Sequence, residues 1–398
     1  MINVEAALEK VLDLATPLAT EEVALSAAAG RVLAAPARAR RAQPPFDASA
    51  MDGYAVAAQD LAAGTTLRVI GDAVAGHAFG GAVATGEAVR IFTGAPVPAG
   101  ATRVIIQENV ERAGARITIT ADIGTATHIR RAGSDFGADF TLSPPRQLRA
   151  VDLALLAAMN VERVQVARRP VVALIATGDE LVMPGEAPRD DQIVASNIFA
   201  LKAMVEAEGG EARILPIARD TTESLRGVFE LAGGADLVVT IGGASVGAHD
   251  LVGSVATELG MEQAFYKIAM RPGKPLMAGR LRGAAMLGLP GNPVSAIVCG
   301  ALFMQPMLRA MRGLADAAPR LRTGRLGCDV AANGPRAHYM RATLRDTGAI
   351  PDITPFEAQD SALLNVLAQA DALLLRPPQD VARPAGTRVA YLPLPAGA

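Results

Sequence analysis

The sequence predicts a multidomain protein in which a central α/β domain with a parallel-type sheet is flanked by β-rich units. Three observations carry that reading. Between about residues 170 and 310, apolar β-type runs alternate with helical stretches. On both sides, shorter β-type runs are separated by Gly- and Pro-rich turns. The length of 398 residues, at about 150 residues per domain, allows two to four units.

The elements follow in order. Residues 3–15 form an amphipathic helix with Val4, Leu8, Val11, Leu12 and Ala15 on one stripe and Asn3 as N-cap. From about 48 to 128 the runs LRVI, AVRIF, RVIIQENV and RITIT alternate with Gly-rich turns, as in a small all-β unit. VDLALLAAMN at 151–160 is helical, and Arg168-Arg169-Pro170 marks a boundary. Then come VVALIA (171–176), a helix from Ser196-Asn197 with Ile198, Leu201 and Val205 inward, ARILPI (212–217), DLVVTI (236–241) and AAMLGL (284–289). Near-continuous apolar strands between helices require a parallel sheet covered on both faces. Residues from about 320 to 398 carry short strands, the helical ALLNVLAQA and many prolines, and read as a separate β-rich domain.

Composition excludes several classes. With 51% hydrophobic residues the chain is not dominated by disorder, and a net charge of −2 gives no global attraction to nucleic acid or anionic lipid. Two cysteines, Cys299 and Cys328, cannot build a disulfide framework or a CxxC zinc site, and the four histidines are scattered. The N-terminal MINVEAALEK lacks signal-peptide character, and no apolar run reaches the roughly 18 residues of a membrane span. A cytoplasmic protein is expected, with neither nucleic acid nor membrane as partner. Only four of the 38 basic residues are lysines, so Lys267 and Lys274, seven apart, stand out.

Three of the central strands run into unusual loops. VVALIA leads to Thr177-Gly178-Asp179-Glu180, DLVVTI to Gly242-Gly243-Ala244-Ser245-Val246-Gly247-Ala248-His249-Asp250, and AAMLGL to Pro290-Gly291-Asn292-Pro293. In an open α/β sheet these loops share the carboxyl edge, where ligands bind. Glycines there let backbone N–H groups approach a phosphate, and helix N-termini add positive charge. Glu180 and Asp250 would then hold a hard cation through oxygen. A Gly-Gly pair alone is more often a tight turn, and a lone Asp more often an N-cap. Three loops on one edge, two of them acidic, favour a ligand site. No GxxxxGK[S/T] and no GxGxxG after a strand is present, which argues against P-loop and dinucleotide sites.

Between the second and third loops lies Lys267, followed by Arg271-Pro272-Gly273-Lys274-Pro275, where two prolines stiffen the backbone around a charge. Upstream, the 44–55 segment contains Asp52-Gly53, Phe92 to Gly100 reads FTGAPVPAG, and Gly133-Ser134-Asp135 closes the β-rich region. The first and the last are explicable as turn chemistry, and the second as an irregular loop.

Taken together, SAMDGYA, FTGAPVPAG, TGDEL, GGASVGAHD, RPGKP and GLPGNPVSA resemble the molybdopterin molybdenumtransferase family (MoeA and the E domain of gephyrin), in the family's order and over essentially the whole chain. Gln359-Asp360-Ser361 extends the match, where the family has Gln-x-Ser. The resemblance implies four parts: a discontinuous, elongated linker domain (1–47 with 129–168), a β-rich insert (48–128), a molybdopterin-binding three-layer α/β domain (169–312) and a C-terminal β-barrel-like domain (318–398). It also implies a homodimer.

The implied reaction is insertion of molybdate into adenylylated molybdopterin, with Mg²⁺-dependent release of AMP. On that reading Asp250 and Glu180 hold the metal and the adenylylated phosphate. Lys267, Arg271 and Lys274 neutralise molybdate and the charge developing on AMP. Asp52, Thr93 and Asp135 match family residues facing the cleft from the partner protomer, and Asp220 matches a further carboxylate. Thr177, Gly178, Gly242, Gly243, Ser245, Gly247, Pro290, Asn292 and Pro293 would line the substrate, with Arg341 and Ser361 contributed by the last domain.

The chain departs from the family pattern at Ala244 (usually Val), Ala248 (commonly acidic) and Thr102 (commonly Asp). The second metal-side carboxylate is therefore Glu180 or Asp220. Three rival readings stand beside the transferase: the upstream molybdopterin adenylyltransferase, which is also a candidate partner; a non-catalytic molybdopterin carrier or scaffold; and a nucleotide pyrophosphatase on the same α/β domain. The adenylyltransferase normally consists of the α/β domain alone, which residues 1–150 and 320–398 argue against.

Overall fold

The computed structural model describes residues 1–57, 61–243 and 251–394. At its centre is a six-stranded sheet. Its strands are β1 (Val171–Ala176), β2 (Glu211–Ile214), β3 (Leu237–Ile241), β4 (Glu262–Tyr266), β5 (Met277–Leu281) and β6 (Ala284–Leu289), in spatial order β2-β1-β3-β6-β5-β4. The first four strands in that order are parallel, whereas β5 runs antiparallel to both of its neighbours. The sheet is therefore mixed at one side and not parallel throughout. Strands β1, β3 and β6 are apolar on both faces because both faces are covered. Val172, Leu174 and Ala176 join one core with helix Asn197–Ala207, while Ala173 and Ile175 join another with helices Thr222–Leu231 and Leu251–Glu258.

Two features differ from the sequence expectation. Helix Val4–Leu14, capped by the Asn3 side chain accepting the Ala6 N–H at 2.7 Å, packs on the central domain and not on the linker, with Ala7 and Val11 fully buried in one core with Phe303 and Met307. Residues Pro293–Met311 form one continuous helix, long and apolar enough by composition to cross a membrane. It lies mostly inside the fold as a core helix. Its middle, Gly300–Met304, widens to a π-turn. A Cβ on Gly300 would stand 2.8 Å from the Leu201 side chain, so this glycine lets two core helices touch.

The linker unit is built from distant parts of the chain. Thr20–Ala24 pairs with Arg163–Ala167, and Val32–Leu33 pairs with Arg146–Gln147. Helix Ala150–Ala158 covers them through Leu156. Buried Asp152 is its anchor, accepting from Arg146 at 2.5 and 2.9 Å and from the Arg149 backbone at 2.9 Å. Burial alone would raise this carboxyl, but hydrogen bonds from Arg149 and Arg146 outweigh it and hold it at about 2. A depressed folded-state value stabilises the protein above the ordinary carboxylate range, and that stabilisation is lost as pH falls from about 4 toward 2. Asp152→Asn is expected to cost roughly 1–3 kcal/mol at neutral pH and to flatten the acid limb of a melting-temperature profile. An unaltered acid limb would contradict this role.

The insert is a six-stranded sheet ordered Arg103–Ile106, Gly53–Val56, Glu87–Ile91, Thr66–Ala73, Arg116–Ile119 and Val110–Ala113. The C-terminal unit is a closed five-stranded barrel: Ala337–Arg345, Asp352–Pro355, Arg322–Leu326, Arg388–Pro393 and Ala372–Arg376, the last returning to pair with the first. Met270–Arg271 of the central domain adds a short parallel strand to its edge, opposite Ala337–His338.

Candidate active site

A cleft of about 870 Å³ opens at the carboxyl ends of β1, β3 and β6. Because the chain passes from β1 outward to β2 and then back to β3 on the other side, β1 and β3 define the topological switch point of the sheet, where open α/β sheets bind ligands. Thr177 and Gly178 leave β1, Gly242 and Gly243 leave β3, and Pro290, Asn292 and Pro293 leave β6; all line the cleft. So do Glu180, Asp220 and Lys274. Sequence-distant acids and a lysine therefore share one cavity.

The glycines act through space. Gly178, Gly242 and Gly243 have φ of 144°, 95° and 66°. A Cβ would lie 2.7 Å from the Thr177 carbonyl oxygen at Gly242, and 2.3 Å from a Val252 methyl at Gly243. Their expected role as phosphate donors is corrected in part. The Gly178 and Gly242 N–H groups donate to the Ala218 and Leu289 carbonyls at 3.0 Å, and so hold strand ends together. What the loops supply is close backbone approach, while the long helix beginning at Pro293 points its positive end at the cleft.

Supporting contacts fix the rim. One Arg219 guanidinium nitrogen donates to the carbonyls of Gly178, Asp179 and Leu181 at 3.1–3.3 Å, clamping the loop that carries Glu180. Asp179 accepts the Asp220 backbone N–H at 3.2 Å, which ties the two acidic loops. Asn197 donates to the Gly291 carbonyl at 2.6 Å, and Asn292 to the Ser361 hydroxyl at 2.9 Å. Lys274 sits on a turn whose carbonyl accepts from Ile268 at 3.0 Å. Gly273, at φ 108°, lies so close to buried Cys299 that a Cβ would stand 2.5 Å from its sulfur.

Other expected site residues fall elsewhere. Arg341 does not face the cleft. It is 1% exposed, and its guanidinium is spent on Gln359 and on the carbonyls of Ala358 and Asp360. A charge inside a barrel strand must be satisfied internally, and Arg341 does so by shaping the 358–361 loop; Ser361 does not line the cleft either, but accepts from the cleft residue Asn292. Lys267 and Arg271 do not line the cleft; Lys267 adopts φ 69° and places its ammonium 4.8 Å from the Tyr266 ring centroid. Asp52, Thr93 and Asp135 also lie off the cleft of their own chain. Asp52 accepts the Thr93 N–H at 2.7 Å and its hydroxyl at 2.8 Å. These two bonds, then nearby Arg90, hold its carboxyl below the ordinary range. Ser245, Gly247 and Asp250 lie outside the described residues.

Sequence reading missed Arg219 as a clamp. It also missed Ile193, Val194 and Asn197 as cleft residues, since no glycine or acidic cluster marks the 193–197 segment.

Comparison with known proteins fits this architecture. Family models match for the MoeA N-terminal region (domain I and II) over residues 2–160, a probable molybdopterin binding domain over 173–310, and the MoeA C-terminal region (domain IV) over 323–394. A molybdopterin molybdenumtransferase of Nostoc sp. is 34% identical over 389 residues, covering 94% of this chain and 89% of that one. The chain belongs to the MoeA family of molybdopterin molybdenumtransferases. The Haemophilus influenzae molybdopterin molybdenumtransferase is 38% identical over 317 residues, covering 79% of this chain and 78% of its own. A solved MoeA protein from Pyrococcus horikoshii superimposes with a TM-score of 0.84 at 31% identity, covering 99% of both chains. This MoeA-family chain is a transferase with a role in molybdenum cofactor biosynthesis.

Proposed function

We propose that the chain inserts molybdate into adenylylated molybdopterin and releases AMP with the help of Mg²⁺. The observation that carries this is the single cleft at the switch point, shared by glycine loops, Glu180, Asp220 and Lys274. Such a cavity can seat a pyrophosphate against close-approaching backbone, with carboxylates and a cation beside it.

Glu180 and Asp220 fit a magnesium ion. Neither is engaged in an ion pair among the described residues, where no cluster of three or more metal-type side chains occurs either. That set suits a hard cation that takes one or two carboxylates and completes its shell with phosphate and water, and not an all-protein cage. Asp250 is assigned to the same role on the family resemblance. When bound, Mg²⁺ supplies charge stabilisation on phosphate oxygens. The chain's own contributions are positional and electrostatic. Lys274 neutralises the molybdate oxyanion and the charge gathering on AMP, the helix from Pro293 stabilises the same charge, and Arg219 keeps Glu180 in place. In a homodimer, a second copy would bring its Asp52–Thr93 pair, on which Thr93 is exposed, and its exposed Asp135 to this cleft.

Purified protein given adenylylated molybdopterin, Mg²⁺ and molybdate is expected to release AMP at a rate that rises with molybdate. Equal release without molybdate would point to a pyrophosphatase. Tight binding with no AMP released would point to a carrier.

A further inference from the structure

We propose a second anion site, specific for a phosphate group, at the amino-terminal edge of the central sheet. A separate cavity of about 370 Å³ opens there, lined by Thr16, Arg168, Asp236, Arg280, Arg282 and apolar residues including Met311. Asp236 precedes β3 and Ala284 begins β6, so this cavity lies across the sheet from the cleft at the strands' carboxyl ends.

Charge is the first argument. Three arginines meet one carboxylate. Asp236 is already occupied by both terminal nitrogens of Arg168, at 2.5 and 2.8 Å, and by the Val171 N–H at 2.8 Å. Arg280 is aimed by neutral acceptors only: the Leu14 carbonyl at 3.0 Å, the Gly283 carbonyl at 3.2 Å and the Thr16 hydroxyl at 3.4 Å. Neither Arg280 nor Arg282 forms an ion pair among the described residues. Two positive charges therefore face the cavity without a counter-charge.

Backbone conformation is the second, independent argument. Leu281 pairs with Ala284, so Arg282-Gly283 is a two-residue hairpin loop. Both residues have positive φ, 50° and 88°. Such loops favour Asn-Gly or Gly-Gly, and an arginine at the first position is disfavoured. An arginine held in that strained place beside an already guided Arg280 is best explained by its side chain. Guanidinium forks match tetrahedral phosphate oxygens, and the cavity has room for more than the bare ion.

The test is titration of the full-length protein with inorganic phosphate and with ribose 5-phosphate, read by calorimetry, for wild type, Arg282→Gly, Arg280→Met and Lys274→Ala. Saturable binding is expected in wild type and in Lys274→Ala, weakened about tenfold or more by Arg282→Gly and by Arg280→Met. Tighter binding of the ester would identify a phosphomonoester as the ligand, and equal binding would identify free phosphate; either supports the site. Glycine relieves the hairpin, so Arg282→Gly is expected to melt no lower than wild type in phosphate-free buffer. The proposal is overturned if wild type shows no saturable binding, if Arg282→Gly binds as wild type does, if binding disappears only in Lys274→Ala, or if Arg282→Gly melts lower without phosphate.

Discussion

Lys274→Ala is expected to reduce molybdate-dependent AMP release by about two orders of magnitude, while leaving the melting temperature near that of the parent. The reasoning starts from rigidity. Lys274 stands between Pro272 and Pro275, its carbonyl is held by Ile268, and Gly273 beside it is pressed against Cys299. A cation whose backbone is fixed needs little reorganisation when negative charge appears on phosphate or molybdate, and such preorganised charges have large effects in a partly enclosed site. Because its loss removes no core contact, stability should be spared. The measurement is AMP release against molybdate concentration, paired with a thermal melt. An unchanged molybdate titration would remove Lys274 from the mechanism.

The second large effect is expected at Gly242. Gly242→Ala places a methyl carbon 2.7 Å from the Thr177 carbonyl oxygen, at a φ of 95° that L-residues avoid. The obstacle is backbone, so relief requires the ends of β1 and β3 to separate where the cleft begins. Loss of nearly all turnover is expected, with affinity for the adenylylated substrate weakened at least about tenfold, roughly the 1.4 kcal/mol that one imperfect phosphate contact represents. Gly178→Ala offers a graded comparison. There the close atom is a Glu180 carboxylate oxygen at 2.4 Å, the movable end of a flexible side chain. The φ of 144° still strains the backbone of that variant, so it should melt somewhat lower than the parent, and it should lose its response to magnesium before it loses substrate binding. If Gly242→Ala turned over normally, the strand ends would not be setting the cleft.

Much of this was legible in the sequence because physical pattern and chemistry coincided. Strands β1, β3 and β6 are almost continuously apolar, with Thr240 of β3 the polar exception, since helices cover both faces, and each ends in a loop with glycine or proline. Cleft residues on those loops could be read from strand polarity alone. Strands β4 and β5 were missed for the complementary reason: EQAFY and MAGRL carry charges or glycine that suit a sheet margin, and nothing in them fixes direction. Arg341 was misplaced because charge reads as surface. Its neighbours in the folded barrel, carbonyls 17–19 residues further on, are invisible to local pattern. Lys267 and Arg271 were drawn toward the cleft by nearness in sequence to Lys274, but the intervening turn sends them elsewhere.

The divided linker has a consequence for synthesis. Thr20–Ala24 cannot find its partner strand until Arg163–Ala167 has been made, and Val32–Leu33 waits for Arg146–Gln147. During that interval the ribosome delivers the whole 48–128 insert, whose pairings are nearly all internal. The insert can thus complete its sheet first and bring the two waiting segments together, shortening the loop that the linker must otherwise close. Mutations that slow the insert's own folding would then leave the first linker strands without a mate, and lower yield in the cell more than they lower the stability of the finished protein.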